Sequence, residues 1–109
     1  MLTQWTQIPY TDEIRLFETS LGGLSVPPQA IADRLGMTCD RGFDDLDSFD
    51  ILIVDNGHLR LGFIRHSGSP VNHCGVCMFS NGSMADMKSA LALSFPDLMD
   101  GFAEFDEPW

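Results

Sequence analysis

The chain has 109 residues, of which 44% are hydrophobic and 20% are charged. This length and composition predict one folded domain, residues 1–109, and argue against a two-domain enzyme or a chain that is disordered throughout. Sixteen Asp and Glu residues stand against six Lys and Arg residues, and the resulting net charge of −10 repels phosphate backbones and anionic membranes, so nucleic-acid or lipid binding is not expected.

The expected compartment is the cytoplasm. The N-terminal stretch lacks the basic start and apolar run of a secretory signal, and no segment approaches the roughly 18 to 20 uninterrupted apolar residues of a membrane span. An oxidising compartment would leave one of three cysteines unpaired, so reduced thiols are the simpler expectation. These cysteines are Cys39, Cys74 and Cys77.

The first half of the chain predicts two helices. One begins at Thr11, a good N-cap, and ends at Gly22-Gly23. A two-turn helix follows Pro27-Pro28, since proline suits the first helical positions, and Gly36 ends it in the left-handed conformation. The apolar residues that would share one face of the first helix are Ile14, Phe17 and Leu21.

Two apolar-rich runs within residues 49–66 are joined by Asn56-Gly57, the strongest short signal for a β-hairpin. A turn at residues 67–70 then leads to a third strand, residues 71–79. A two-residue turn pairs Val54 with Leu59, and the second hairpin pairs Leu61 with Val76. Both registers place the same residues on one buried face. These are Leu52, Val54, Leu59, Leu61, Phe63, Val76 and Met78.

A third helix is predicted from the cap Ser83, with Asp86 three residues later, to the stop at Pro96. Its apolar stripe needs a cover, which the apolar face of the sheet provides. The predicted fold is therefore α+β: a small antiparallel sheet of about three strands, a meander, packed against helices on one face. Residues 97–109 show no clean period, and their structure is left open.

The opposite face of the predicted sheet is mixed in character. Gly62 would lie opposite Gly75, leaving a dent that either a bulky residue from elsewhere in the chain fills or a ligand occupies. Polar and reactive side chains on this face leave open a small enzyme or ligand-binding domain. They are His58, Arg60, His73 and Cys77.

Motifs for metal or cofactor chemistry are weak, so we expect no cofactor, no metal site and no enzymatic activity. Cys74 and Cys77 form a Cys-x-x-Cys, but residues three apart on a strand point to opposite faces and cannot share a zinc ion. Residues 44–47 lack the glycine and distal glutamate of a calcium loop, and no glycine-rich loop resembles a phosphate cradle.

The acidic residues cluster in two stretches, residues 40–55 with Arg41 as the one basic residue, and residues 97–107 with none. A solvated surface is one interpretation. Aromatic residues interleaved with the acids favour the other, a docking surface in which carboxylates steer a basic protein and rings are buried on contact. The candidate steering residues are Asp44, Asp45, Asp47 and Asp50, and the candidate anchors are Phe43, Phe49, Phe102, Phe105 and Trp109.

The leading hypothesis is a small acidic binding protein that neutralises a basic partner, as an immunity protein or antitoxin neutralises a cationic toxin such as a nuclease. Besides the enzyme or ligand-binding alternative, an adaptor subunit of a larger complex stays open. Self-association through an exposed edge of the sheet is a further alternative.

Overall fold

The computed structural model describes residues 4–11, 20–43, 48–68, 71–78 and 83–104. In these residues seven strands form one antiparallel sheet that two α-helices and a 3-10 helix accompany. The strands are β1 (Thr6–Ile8), β2 (Ser20–Leu24), β3 (Asp40–Phe43), β4 (Ser48–Asp55), β5 (Arg60–His66), β6 (Cys74–Met78) and β7 (Ala103–Glu104). The helices are α1 (Pro28–Leu35), α2 (Met84–Ser94) and the 3-10 helix Pro96–Gly101.

The α+β class is confirmed, but the sheet is larger than the three strands expected. The predicted strands β4, β5 and β6 form its centre, and β2 and then β7 add beyond β6. On the other side of the centre, β1 pairs with residues 53–55 of β4 while β3 pairs with residues 48–51. Because β1 and β3 share one edge of β4 end to end, the seven strands occupy six positions across the sheet.

Both predicted hairpins are present, but each register is shifted by two residues. Val54 pairs with Leu61 instead of Leu59, and Leu61 pairs with Met78 instead of Val76. A shift of two residues changes the partners and leaves every side chain on its predicted face, because side chains alternate with a period of two. The predicted apolar face is therefore the observed one.

Side-chain hydrogen bonds in the β4–β5 turn account for the register shift of the first hairpin. The Asn56 side-chain oxygen accepts from the backbone N–H groups of His58 (2.9 Å) and Leu59 (2.7 Å), and Asp55 Oδ1 accepts from Gly57 N–H (2.7 Å). Asn56 thus flanks the turn, whose centre moves to Gly57-His58, with Gly57 at a φ of 91°. The third strand is also shorter than predicted, since Val71 lies in a turn.

The two helices contribute to the same core cluster as the predicted apolar face. Ile31 and Ala32 of α1, and Met87 and Leu91 of α2, are buried there. The helix boundaries follow local signals: Gly36 ends α1 at a φ of 69°, and α2 begins with the predicted capping box. The buried sheet residues of this cluster include Leu24, Leu52, Val54, Leu61, Phe63, Cys74 and Val76.

The opposite face of the sheet is also buried at its centre. Ile8 and Tyr10 pack there against a second cluster. The prediction of a dent formed by two opposed glycines is wrong. The register shift places Gly62 between Ile53 and Cys77 instead of opposite Gly75. The members of the second cluster are Phe49, Ile51, Ile53, Ile64 and Cys77.

The prediction that Gly22-Gly23 ends a helix is wrong, because both glycines lie within β2, which pairs with β6. A Cβ on Gly22 would lie 2.7 Å from the Phe102 ring, and one on Gly23 would lie 2.7 Å from the His73 ring. Aromatic rings thus cover the bare backbone of the strand. Residues 12–19 of the predicted helix lie outside the described residues. Within the described ranges, no helix is long and apolar enough to cross a membrane.

Candidate partner-binding surface

The candidate surface is centred on the β3–β4 hairpin, where Phe43 is the last paired residue of β3 and lies opposite Ser48. The Phe43 side chain is 73% exposed, which makes it the most exposed large apolar residue among those the structure describes. Arg41 lies two positions earlier, on the same face of the strand, and pairs across the sheet with Asp50. Their side chains form an ion pair, with 3.3 Å between Arg41 Nε and Asp50 Oδ1.

An open cleft of about 620 Å³ adjoins this hairpin. Arg41, Gly42 and Phe43 of β3 line it together with Tyr10 and Thr11, which follow β1. The chain leaves the sheet after Ile8, where Pro9 has no N–H group to donate to a neighbouring strand.

Tyr10 is fixed at the cleft by two contacts. Its backbone N–H donates to Asp40 Oδ2 at 2.9 Å. Its ring meets the Phe49 ring edge-on, with centroids 5.5 Å apart. A Cβ on Gly42 would lie 2.9 Å from the Tyr10 ring and 2.3 Å from the Phe49 ring, so the two rings occupy the space that a side chain at position 42 would need.

The aromatic anchors proposed from the sequence do not gather on this surface. Phe43 is exposed, but Phe49 is 2% exposed and packs in the second core cluster between Tyr10 and His66. Phe49 and Phe43 therefore do not form one exposed pair of anchors, because the Phe49 ring is buried under β3. Phe102 is half-buried against the first core cluster. Phe105 and Trp109 lie outside the described residues.

The acidic residues proposed for steering fall mostly beyond the described part of the chain. Asp50 is in the ion pair with Arg41, whereas Asp44, Asp45 and Asp47 are not described. Eight of the sixteen acidic residues and five of the six basic residues belong to the described ranges. Most of the excess negative charge is therefore carried by the remaining segments.

Two other carboxylates from the acidic stretches have cationic partners. Asp97 accepts two hydrogen bonds from Arg34, one of 2.7 Å between Nη1 and Oδ1, and these bonds hold the pKa of Asp97 below its ordinary value. Asp55 accepts from Gly57 N–H and pairs with Arg60 (3.2 Å), and the Gly57 bond is the main cause of its lowered pKa. Arg34 is distant in sequence from Asp97, so the sequence pattern did not reveal this partner.

Cys74 and Cys77 are buried, and Cys39 is partly buried. As expected from the strand period, Cys74 faces the first core cluster and Cys77 faces the second. Burial raises the pKa of Cys74 to about 12 and that of Cys39 to about 11, because it disfavours the charged thiolate. Among the described residues, no group of three or more His, Cys, Asp or Glu side chains could hold a metal ion.

The side chains of the enzyme alternative are not assembled around an accessible thiol. Cys77 is 1% exposed. His58 is exposed in the β4–β5 turn, Arg60 pairs with Asp55, and the His73 ring lies against Gly23.

Comparison with protein-family models, with curated proteins and with solved structures finds no match.

Proposed function

We propose that this chain is a small acidic protein that binds and neutralises a basic protein, in the manner of an immunity protein or antitoxin acting on a cationic toxin such as a nuclease. The observation that carries the proposal is Phe43, an exposed ring at the end of β3. The chain continues from this ring directly into Asp44, Asp45 and Asp47. Protein interfaces commonly combine an aromatic-rich core with a polar rim.

The ring supplies apolar surface for a partner to cover. Full burial of a phenylalanine side chain contributes about 1.5–3 kcal/mol, and most of this free energy is unrealised in the isolated chain because Phe43 is 73% exposed. Val71 and Leu93 are also exposed large apolar residues among those described. Phe43 is distinguished from them by its position on the wall of the cleft and beside a run of acidic sequence.

The charge selects the class of partner. A net charge of −10 on 109 residues attracts a basic protein over distances of about a Debye length, roughly 8 Å at physiological ionic strength. Such attraction accelerates association and falls with added salt, whereas buried apolar contacts mainly slow dissociation. The acidic residues and Phe43 should therefore affect different rate constants.

The test uses the product of the neighbouring reading frame as partner, with an unrelated basic protein of matched net charge as the control for non-specific attraction. We expect a saturable equimolar complex with the neighbour's product and weaker, non-saturating association with the control. Purification of a larger assembly would instead favour the adaptor alternative. Failure to form a saturable complex with the neighbour's product contradicts the proposal.

Charge variants locate the surface. Asp44→Asn combined with Asp45→Asn should lower the association rate constant and flatten its dependence on ionic strength. The matched control, Asp33→Asn combined with Asp100→Asn, removes the same charge from exposed positions in α1 and the 3-10 helix and should have the smaller effect. Equal effects of the two pairs would show that only net charge matters and would refute a steering surface at residues 44–47.

The ring variant tests the anchor. Phe43→Ala should raise the dissociation rate constant about tenfold or more, because a hot-spot side chain contributes about 2 kcal/mol and each 1.4 kcal/mol is a factor of ten. The association rate constant should stay close to that of the wild type. An unchanged dissociation rate would remove Phe43 from the interface.

A further inference from the structure

The cleft runs along an edge strand. Three consecutive residues of β3, Arg41, Gly42 and Phe43, line it together with Tyr10 and Thr11. Among the strands that the structure describes, β3 pairs with β4 and with no other strand. The alternate backbone N–H and C=O groups of an antiparallel strand that point away from its partner can pair with an added strand.

We infer that an extended, basic segment of the partner protein adds to the sheet as a strand along β3, seated in this cleft. The inference rests on the proposed function, since it names the part of the partner that the Phe43 surface receives. Peptide recognition by strand addition draws its affinity from main-chain hydrogen bonds and its specificity from alternate side chains.

The edge is held in place before binding. Gly42 lies against the rings of Tyr10 and Phe49, and Phe49 is almost fully buried. The Tyr10 N–H donates to Asp40 Oδ2 at the start of the strand, which ties the segment after β1 to β3. A recognition edge that is already ordered loses less conformational entropy when a segment binds.

Charge decides which occupant is favoured. Among the described residues that line the cleft, Arg41 is the one cation, and it forms an ion pair with Asp50, while the chain as a whole carries −10. Lys or Arg side chains of an added strand would meet this negative field, and one of them could lie over the exposed Phe43 ring. A second copy of this chain would bring another −10 to the same edge, so self-pairing is disfavoured.

The test uses a synthetic decapeptide of alternating Lys and Val as the probe, and a second decapeptide that carries N-methyl groups on its six central residues. The N-methyl groups remove the donors needed for strand pairing and keep the charge. We expect the unmethylated peptide to bind saturably, to bind at least tenfold more tightly than the methylated one, and to slow amide hydrogen exchange in residues 40–43.

A matched pair of variants locates the site. Phe43→Lys places a charged side chain on the edge strand, whereas Leu93→Lys makes the same change at another exposed residue, on α2. Phe43→Lys should weaken peptide binding at least tenfold, and Leu93→Lys should weaken it less than twofold. Sedimentation analysis of the free chain should show a monomer.

Several results would overturn the inference: no saturable binding of the unmethylated peptide, equal affinity for the two peptides, or slowed exchange confined to residues outside 40–43. A dimer that Phe43→Lys dissociates would assign the edge to a second copy instead. These failures leave an equimolar complex with the folded basic partner intact, so they are distinguishable from failure of the proposed function.

Discussion

Replacement of Gly42 by alanine should destabilise the protein because the site has no room for a methyl group. An added Cβ would lie 2.3 Å from two carbons of the Phe49 ring and 2.9 Å from the Tyr10 ring. Phe49 is 2% exposed, so its ring cannot move into solvent without loss of core packing. Overpacking of this kind costs about 1–3 kcal/mol. At about 4–8 °C per kcal/mol, the expected fall in Tm is at least several degrees.

The assay is equilibrium denaturation followed by far-ultraviolet circular dichroism, with Gly75→Ala as the matched control. Gly75 also lies in a strand, but its added Cβ would be 3.7 Å from the nearest Ile64 atom, an ordinary contact. Neither glycine has a positive φ. Gly75→Ala should therefore be neutral or stabilising by about 0.4–1 kcal/mol, because alanine restricts the unfolded chain more than glycine does.

A double-mutant cycle identifies the cause of the loss. Shortening the ring with Phe49→Leu should reduce the cost of Gly42→Ala, giving a coupling free energy of about 0.5 kcal/mol or more between the two sites. If Gly42→Ala is as stable as Gly75→Ala, or if the two changes are additive, the close packing of Phe49 against β3 is refuted.

Three further predictions concern local interactions. Ser83→Ala removes the hydroxyl that caps α2 and should lower the free energy of unfolding by about 0.5–2 kcal/mol in denaturant titrations, and an unchanged value would contradict the capping box. Because burial raises the pKa of Cys39 to about 11 and of Cys74 to about 12, iodoacetamide should alkylate both far more slowly at pH 8 in the native than in the unfolded chain; native rates equal to unfolded rates would refute their burial. The hydrogen bonds from Arg34 lower the pKa of Asp97, so stability from this pair is present above the unfolded pKa of about 3.9 and lost as pH falls through the folded value. The difference in the free energy of unfolding between the wild type and Asp97→Asn should accordingly narrow below about pH 4. A difference that does not change with pH would show that the Arg34–Asp97 ion pair is not its source.

Part of the candidate surface was accessible from sequence and part was not. The sequence singled out Phe43, which the structure shows exposed beside a cleft. It also singled out Phe49, which is likewise interleaved with acidic residues, but its ring is buried under β3. The residues around an aromatic side chain do not show whether its ring is buried when a separate strand covers it. The strand that covers Phe49, β3, was not predicted.

Local interactions determined much of the fold by themselves. The αL glycine of α1, the capping box of α2 and the alternation of side chains along β4, β5 and β6 depend on residues a few positions apart, so they are legible in the sequence. The predicted buried face is correct although both predicted hairpin registers are wrong, because a shift of two residues leaves each side chain on the same face of the sheet.

Long-range contacts decided the rest. Gly22-Gly23 looks like a helix stop, but pairing with β6 and the covering rings of Phe102 and His73 make it a strand. The partner of Asp97 is Arg34, which is distant in the chain and adjacent only after folding. Sheet edges, ion pairs and the burial of a given ring depend on which distant segments come into contact after folding. Contacts of this kind leave no periodic pattern in a single sequence.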